Sequence, residues 1–205
     1  MSYNSLLSFG DLIPLKIRCD VKKLFNEVKD FKYLQYNPRK DIKRYGLSIT
    51  SLNGDMDGID LDSIKEYNKE NNTNYDELSF KEFTQVYHVS SEIQKIVKPF
   101  KEHIGRSHLL MLAKGGYFPP HRDLPVYVEE QNSLRILVPL MGCNPPDLYF
   151  MYEDKPLHFD HGRAYFLNTN KSHSLFSMRG SLMIVLNIAA NEEVYKIIGD
   201  HFQTT

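Results

Sequence analysis

The chain is short of cysteine, of long apolar runs and of surplus charge of either sign, and each shortage removes a class of protein. Its two cysteines, Cys19 and Cys143, stand far apart and in no CxxC pattern. They fit reduced thiols of an intracellular, cytoplasmic protein better than a disulfide framework. No apolar run approaches the roughly 18 residues needed to span a bilayer. The opening stretch MSYNSLLSFGDLIPLKIRCD has a short apolar patch but no basic leader before a long hydrophobic core, which argues against a secretory signal. Lys and Arg number 25 against 26 Asp and Glu, so the formal net charge is −1 and no general attraction to nucleic acid or an anionic membrane is expected. Internal repeats and low-complexity tracts are missing as well. What remains is an ordinary globular composition, 41% hydrophobic and 25% charged over 205 residues. That length suits one domain with a sizeable core.

The two halves differ in texture. Residues 20–36, DVKKLFNEVKDFKYLQY, set Val21, Leu24, Phe25, Val28, Phe31 and Leu34 at helical spacing behind Asp20 as N-cap. Segment 60–70 predicts a shorter polar helix, and 79–104 one or two more with a break near Pro99. The Asn- and Asp-rich stretches 53–62 and 68–77 read as exposed loops. From residue 106 the period changes. SHLLML, SLRILVPL, LYFMYE, KPLHF, RAYFLN, HSLFSM and SLMIVLNIA read as strands, punctuated by GG, NPPD, HG, NTN and RG. So many short strands with no helix between them predict an antiparallel sandwich or barrel. NEEVYKIIGDHF then predicts a closing helix. The expected class is α+β, mainly β, in a single domain: helical support over 1–104, a strand core over 105–190 and a helix over 191–205.

Two motif matches fail on inspection. HRDL opens the catalytic loop of protein kinases, but the Asn due five residues after the Asp is Val128, and no Gly-rich phosphate loop or DFG is present. NGDMDGIDLDSI places Asn53, Asp55, Asp57 and Gly58 as in a calcium loop. The carboxylate due at position twelve is Ile64, and the apolar position eight is Asp60, so an acidic turn fits better.

The stretch PPHRDLP, 119–125, is harder to dismiss. On an extended strand His121 and Asp123 point to the same side and can reach one point in space. A transition metal needs a third ligand. His158 and His161 flank a turn in HFDHG and read as surface histidines. His173 opens the apolar segment HSLFS, where it is either a ligand or merely the cap of a strand. Two histidines and a carboxylate on a β scaffold are the ligand set of non-haem Fe(II) oxygenases, which leaves three coordination positions open.

At these residues the chain resembles the aspartyl/asparaginyl β-hydroxylase-like group of Fe(II)/2-oxoglutarate-dependent dioxygenases. The resemblance covers about 105–190 and rests on GRSHLLMLAKGGYFPPHRD, LRILVPL and GRAYFLNTNKSHSLFS in that order. RYGLSIT, 44–50, is similar to the segment that lies near substrate in such proteins. The resemblance implies a double-stranded β-helix, a jelly-roll or cupin-like sandwich, with supporting helices from the N-terminal half. It implies Fe(II) held by His121, Asp123 and His173, with 2-oxoglutarate and O2 as cosubstrates and hydroxylation of a C–H bond as the outcome. It suggests a small-molecule or peptide substrate, namely a free amino acid or a side chain in a peptide. The family's arginine for the distal carboxylate of 2-oxoglutarate falls about ten residues after the distal histidine, where this chain has Met183. Arg179, of the same strand parity, and Arg135, inward with Leu137, are the candidates, with Arg135 preferred and a salt bridge to an acid as its alternative. Arg44, Tyr117 and Arg122 fall near the expected mouth and could grip a substrate carboxylate. A cupin-like barrel that binds metal or a small polar molecule without oxygenase chemistry is the competing expectation.

Overall fold

The structure, a computed structural model, describes residues 1–36, 42–123 and 132–202. In chain order the strands are β1 (Leu12–Arg18), β2 (Leu34–Gln35), β3 (Arg44–Ser48), β4 (Thr50–Ser51), β5 (Glu82–Phe83), β6 (His108–Leu112) and β7 (Tyr117–His121). They continue with β8 (Ser133–Met141), β9 (Leu148–Tyr152), β10 (Lys155–Pro156), β11 (Arg163–Leu167), β12 (His173–Ser177) and β13 (Ser181–Ala189). The α-helices are α1 (Tyr3–Leu7), α2 (Val21–Val28), α3 (Ile64–Asn71), α4 (Gln85–Val89), α5 (Ser91–Val97) and α6 (Glu192–Asp200).

The strands from β6 onward alternate between two sheets, save that β9 and β10 stay together. One runs β1-β11-β8-β13-β6-β3-β2 and the other β10-β9-β12-β7. Every named pairing in them is antiparallel. Strands β6, β8, β11 and β13 against β7, β9, β10 and β12 make the double-stranded β-helix, or jelly roll, as expected. The inner faces meet through Leu110, Leu137, Leu167 and Met183 on the large sheet and Phe150, Tyr152 and Leu175 on the small one. The large sheet's other face, with Leu109, Ile136, Val138 and Ile184, packs under α2, α5 and α6 through Leu24, Ile93, Ile96, Val194 and Ile198. Three layers result, and β13, sandwiched between the outer two, is apolar nearly throughout because both its faces are covered.

Helix starts follow the capping residues. Asp20, Ser90 and Asn191 each accept a backbone N–H from the first turn of the helix behind them. The break near Pro99 is real, since α5 passes there into a 3₁₀ turn over Lys98–His103.

Four expectations need correction. The helix of 20–36 stops at Val28, and Leu34 instead pairs with Gly46 at the sheet edge, so tertiary pairing overrides the helical spacing. The front half is not purely helical: LIPLKIR is β1, paired to β11, and RYGLS is β3, paired to β6. Only Lys155 and Pro156 of KPLHF pair as strand. Asp60, expected in an exposed loop, is fully buried. No helix among the described residues is long and apolar enough to cross a membrane.

Candidate metal centre

β7 lies at the edge of the small sheet, which is where consecutive prolines, lacking N–H donors, can enter a ladder. They deliver His121 as its last residue. Antiparallel pairing sets His173, the first residue of β12, directly opposite. The two imidazole centroids are 4.3 Å apart. The loop after β7 is tied to the loop before β12 by a hydrogen bond from the Asp123 N–H to the Thr169 carbonyl, 3.1 Å. That link brings the Asp123 carboxylate to the same point.

The hydrogen bonds of the two rings orient them alike. His121 Nδ1 lies 2.7 Å from the Pro119 carbonyl oxygen and His173 Nδ1 lies 3.0 Å from that of Lys171. A carbonyl oxygen only accepts, so each Nδ1 carries the hydrogen and, in the neutral ring, each Nε2 keeps its lone pair. Asp123 Oδ1 is 3.6 Å from His121 Nε2 and 3.8 Å from His173 Nε2. All three ligand atoms lie within 4.8 Å of one another. Ligands about 2.1 Å from a common metal and at right angles to one another sit about 3 Å apart, so the Asp123 oxygen is within about 1 Å of that spacing from each imidazole and the widest pair within about 2 Å. Among the described residues this is the one group of three or more His, Cys, Asp or Glu side chains that converges in this way. Two neutral nitrogens and one anionic oxygen on one side of the point, with the other side open to a cleft, are donors of the kind divalent iron takes.

Electrostatics hold Asp123 and His173 in their ligating forms. Burial alone would raise the Asp123 pKa. The Arg135 charge, then His173, His121 and a hydrogen bond with the Thr169 side chain outweigh it and bring the carboxyl below the usual range. Burial pushes His173 below the usual histidine range, against a backbone hydrogen bond to Lys171 and the Asp123 charge.

The cleft lies between the sheets and encloses about 550 Å³ of space, its open mouth included. Arg135 enters it from β8, as its parity with Leu137 predicts. Its Nε is 3.0 Å from Asp123 Oδ2 and its Nη2 3.7 Å from Glu77 Oε1. Arg135 is therefore at the site, in the salt-bridged state that was its alternative. Glu77 is shared with Arg106, 3.3 Å away, and accepts from Asn187, 2.8 Å.

Arg179 is a correction. Its side chain is 71% exposed and pairs with Asp147 at 3.1 Å. It precedes β13, and the residues of that strand that line the cleft are Met183 and Val185. Tyr117 and Arg122 are exposed and line no part of the cleft, because the pairing of β7 with β12 shifts register between Phe118 and His121, so that Phe118 rather than Tyr117 joins His121 on the inward side. Arg44 is buried, with its guanidinium carbon 4.2 Å from the centre of the Phe118 ring, on which it stacks. It braces the cleft wall. His158 and His161 are exposed, as expected. In the acidic turn, Asn53 donates to Asp55 and Asp57 accepts the Ile59 N–H, so the loop satisfies itself. Sequence reasoning missed His108, which lines the cleft from β6; its shared parity with the inward Leu110 and Leu112 was the available signal.

No family model matches the chain, and no curated protein does. Among solved structures it is similar to a prolyl-4-hydroxylase from Pseudomonas putida, at 10% identity over 91% of this chain and 96% of that one, with a TM-score of 0.49. It is also similar to an oxidoreductase of the 2OG-Fe(II) oxygenase family from Burkholderia pseudomallei, at 9% identity over 92% of this chain and 89% of that one, TM-score 0.49. A conserved protein of unknown function from Streptococcus pyogenes is matched at 13% identity and a TM-score of 0.31, over 42% of this chain and 64% of that one.

Proposed function

We propose that the chain is an Fe(II)/2-oxoglutarate-dependent dioxygenase that hydroxylates a C–H bond of an amino acid or of a peptide or protein side chain. The observation that carries this is the matched pair of imidazoles. Each gives its Nδ1–H to the carbonyl two residues before it, so that both Nε2 lone pairs and Asp123 Oδ1 face one point at the floor of a cleft. Iron bound there with the 2-oxo acid and O2 would supply the oxidising power through decarboxylation of the 2-oxo acid.

The rest is the work of the chain's own side chains. His121 and His173 present neutral nitrogen donors. Asp123 offers one oxygen to the metal while Arg135 holds the other, which fixes the carboxylate plane and favours a single Asp–metal bond. Leu110, Leu137, Phe150, Leu167 and Leu175 line the walls and exclude water from the reacting atoms. Substrate would be a small molecule or a peptide rather than nucleic acid or a membrane, in a cytoplasmic, reducing setting.

One observation favours the competing cupin-like reading of a metal- or ligand-binding barrel without oxygenase activity. Arg135 is the only arginine lining the cleft among the described residues, and it is already paired. Anaerobic titration of the apo-protein with Fe(II) and then 2-oxoglutarate separates the two. A charge-transfer band that His173→Ala abolishes supports the oxygenase; iron binding without a band gives the cupin-like reading the lead.

A further inference from the structure

Among the described residues that line the cleft, His108 alone has a buried side-chain nitrogen without a hydrogen-bond partner, its Nδ1. The residue is 3% exposed, on the inward face of β6. A buried polar nitrogen left unpaired is costly, and in a ring that lines a cleft a small turn of the ring would offer it to a ligand. Burial, followed by the charges of Arg106 and Arg135, holds the ring well below the usual histidine range. It is therefore a neutral imidazole in a region of positive potential. The arginines that make that potential are both paired with acids. Arg106 bonds the Asp60 and Asp62 carbonyls and Glu77, and Arg135 forms ion pairs with Asp123 at 3.0 Å and Glu77 at 3.7 Å.

His108 is also joined to the triad by a continuous aromatic wall. Ring centroids step 6.0 Å from His121 to Phe118, 5.9 Å to Tyr36 and 5.0 Å to His108. His108 and the triad line the same cleft, so a short diacid whose 2-oxo acid end faces His121, Asp123 and His173 would turn its far carboxylate across the cleft toward His108.

We propose that His108 receives the distal carboxylate of 2-oxoglutarate by hydrogen bonding, in place of an arginine clamp, while Arg106 and Arg135 supply positive field without contacting it. This rests on the oxygenase reading above. It makes His108 the residue that tells a 2-oxo diacid from a 2-oxo monoacid.

The test is anaerobic titration of the Fe(II)-loaded protein with 2-oxoglutarate and with pyruvate, which lacks the distal carboxylate, reading the charge-transfer band. Wild type should bind 2-oxoglutarate more tightly than pyruvate. His108→Leu should weaken 2-oxoglutarate roughly tenfold or more and leave pyruvate and Fe(II) binding unchanged. His108→Asn, which keeps a donor near the Nδ1 position, should recover most of the loss. An unchanged 2-oxoglutarate midpoint in His108→Leu overturns the inference, and so does an equal loss for pyruvate, which would mark a structural role. Iron binding by wild type with no band for either acid overturns the oxygenase reading and this inference with it.

Discussion

At the scale of single residues, the carboxylate of Asp123 is the most constrained group in the cleft, with one oxygen toward two imidazoles and the other on Arg135. Removing the guanidinium leaves the carboxylate free to turn and removes the charge that lowers its pKa. Arg135→Met should therefore weaken Fe(II) binding by about 10- to 100-fold, the usual effect of losing a residue that orients a ligand, as measured by competition with a metal-binding dye. An unchanged affinity would mean that Arg135 serves only Glu77. A second residue-scale prediction concerns Asp60, whose pKa is raised to about 6 by burial, against a hydrogen bond from Ser48 and the Arg106 charge. The native state holds this proton more tightly than the unfolded chain, whose value is near 3.8. Its stabilising contribution is thus complete below about pH 4 and is lost as pH rises through about 6. Wild type should lose up to about 3 kcal/mol relative to Asp60→Asn between pH 4 and 7, read from urea denaturation. Parallel curves for the two proteins would refute it. The HxD pair was legible because strand parity is a local property. The loss of Arg179 was not, and for His108 parity gave the face but not the reach, since which end of a strand meets a cleft depends on register between distant segments.

Among the elements, the turn from β6 to β7 decides where His121 falls. Gly115 N–H bonds the Ser177 carbonyl and Ser177 N–H bonds the Gly116 carbonyl, so the turn is fastened to the end of β12. A Cβ on Gly116 would fall 2.4 Å from the Lys43 carbonyl oxygen and 3.0 Å from that of Ala113. Both obstacles are backbone and neither can rotate away. Gly116→Ala should cost about 1–3 kcal/mol by chemical denaturation, as overpacking does, and should weaken metal binding more than Gly115→Ala, whose Cβ meets nothing within 4 Å and whose cost is the backbone strain of its φ of +82°. The core strands could be read from composition and turn residues because alternation and punctuation are written locally. β1 and β3 could not, since each is an addition to a sheet edge whose pairing partner lies 60 residues or more away.

For the whole molecule, metal binding and folding are coupled, since the three ligands meet only in the native state. A metal that binds the folded chain at 100 times its Kd adds about 2.7 kcal/mol of stability. Co(II) or Fe(II) under argon should raise the melting temperature by several degrees and EDTA should reverse it. His121→Ala and Asp123→Ala should show little of this shift, and an equal shift in those variants would place the metal elsewhere. The division of labour between sheets has a mechanical consequence too. His121 and His173 belong to the small sheet, while Arg135 and His108 belong to the large one. A bound metal and diacid would act as a rivet through two plates, resisting the sliding of one over the other. Amide exchange should slow in β7, the free edge of the small plate that carries His121, and stay unchanged in β11, which neighbours already clamp on both sides.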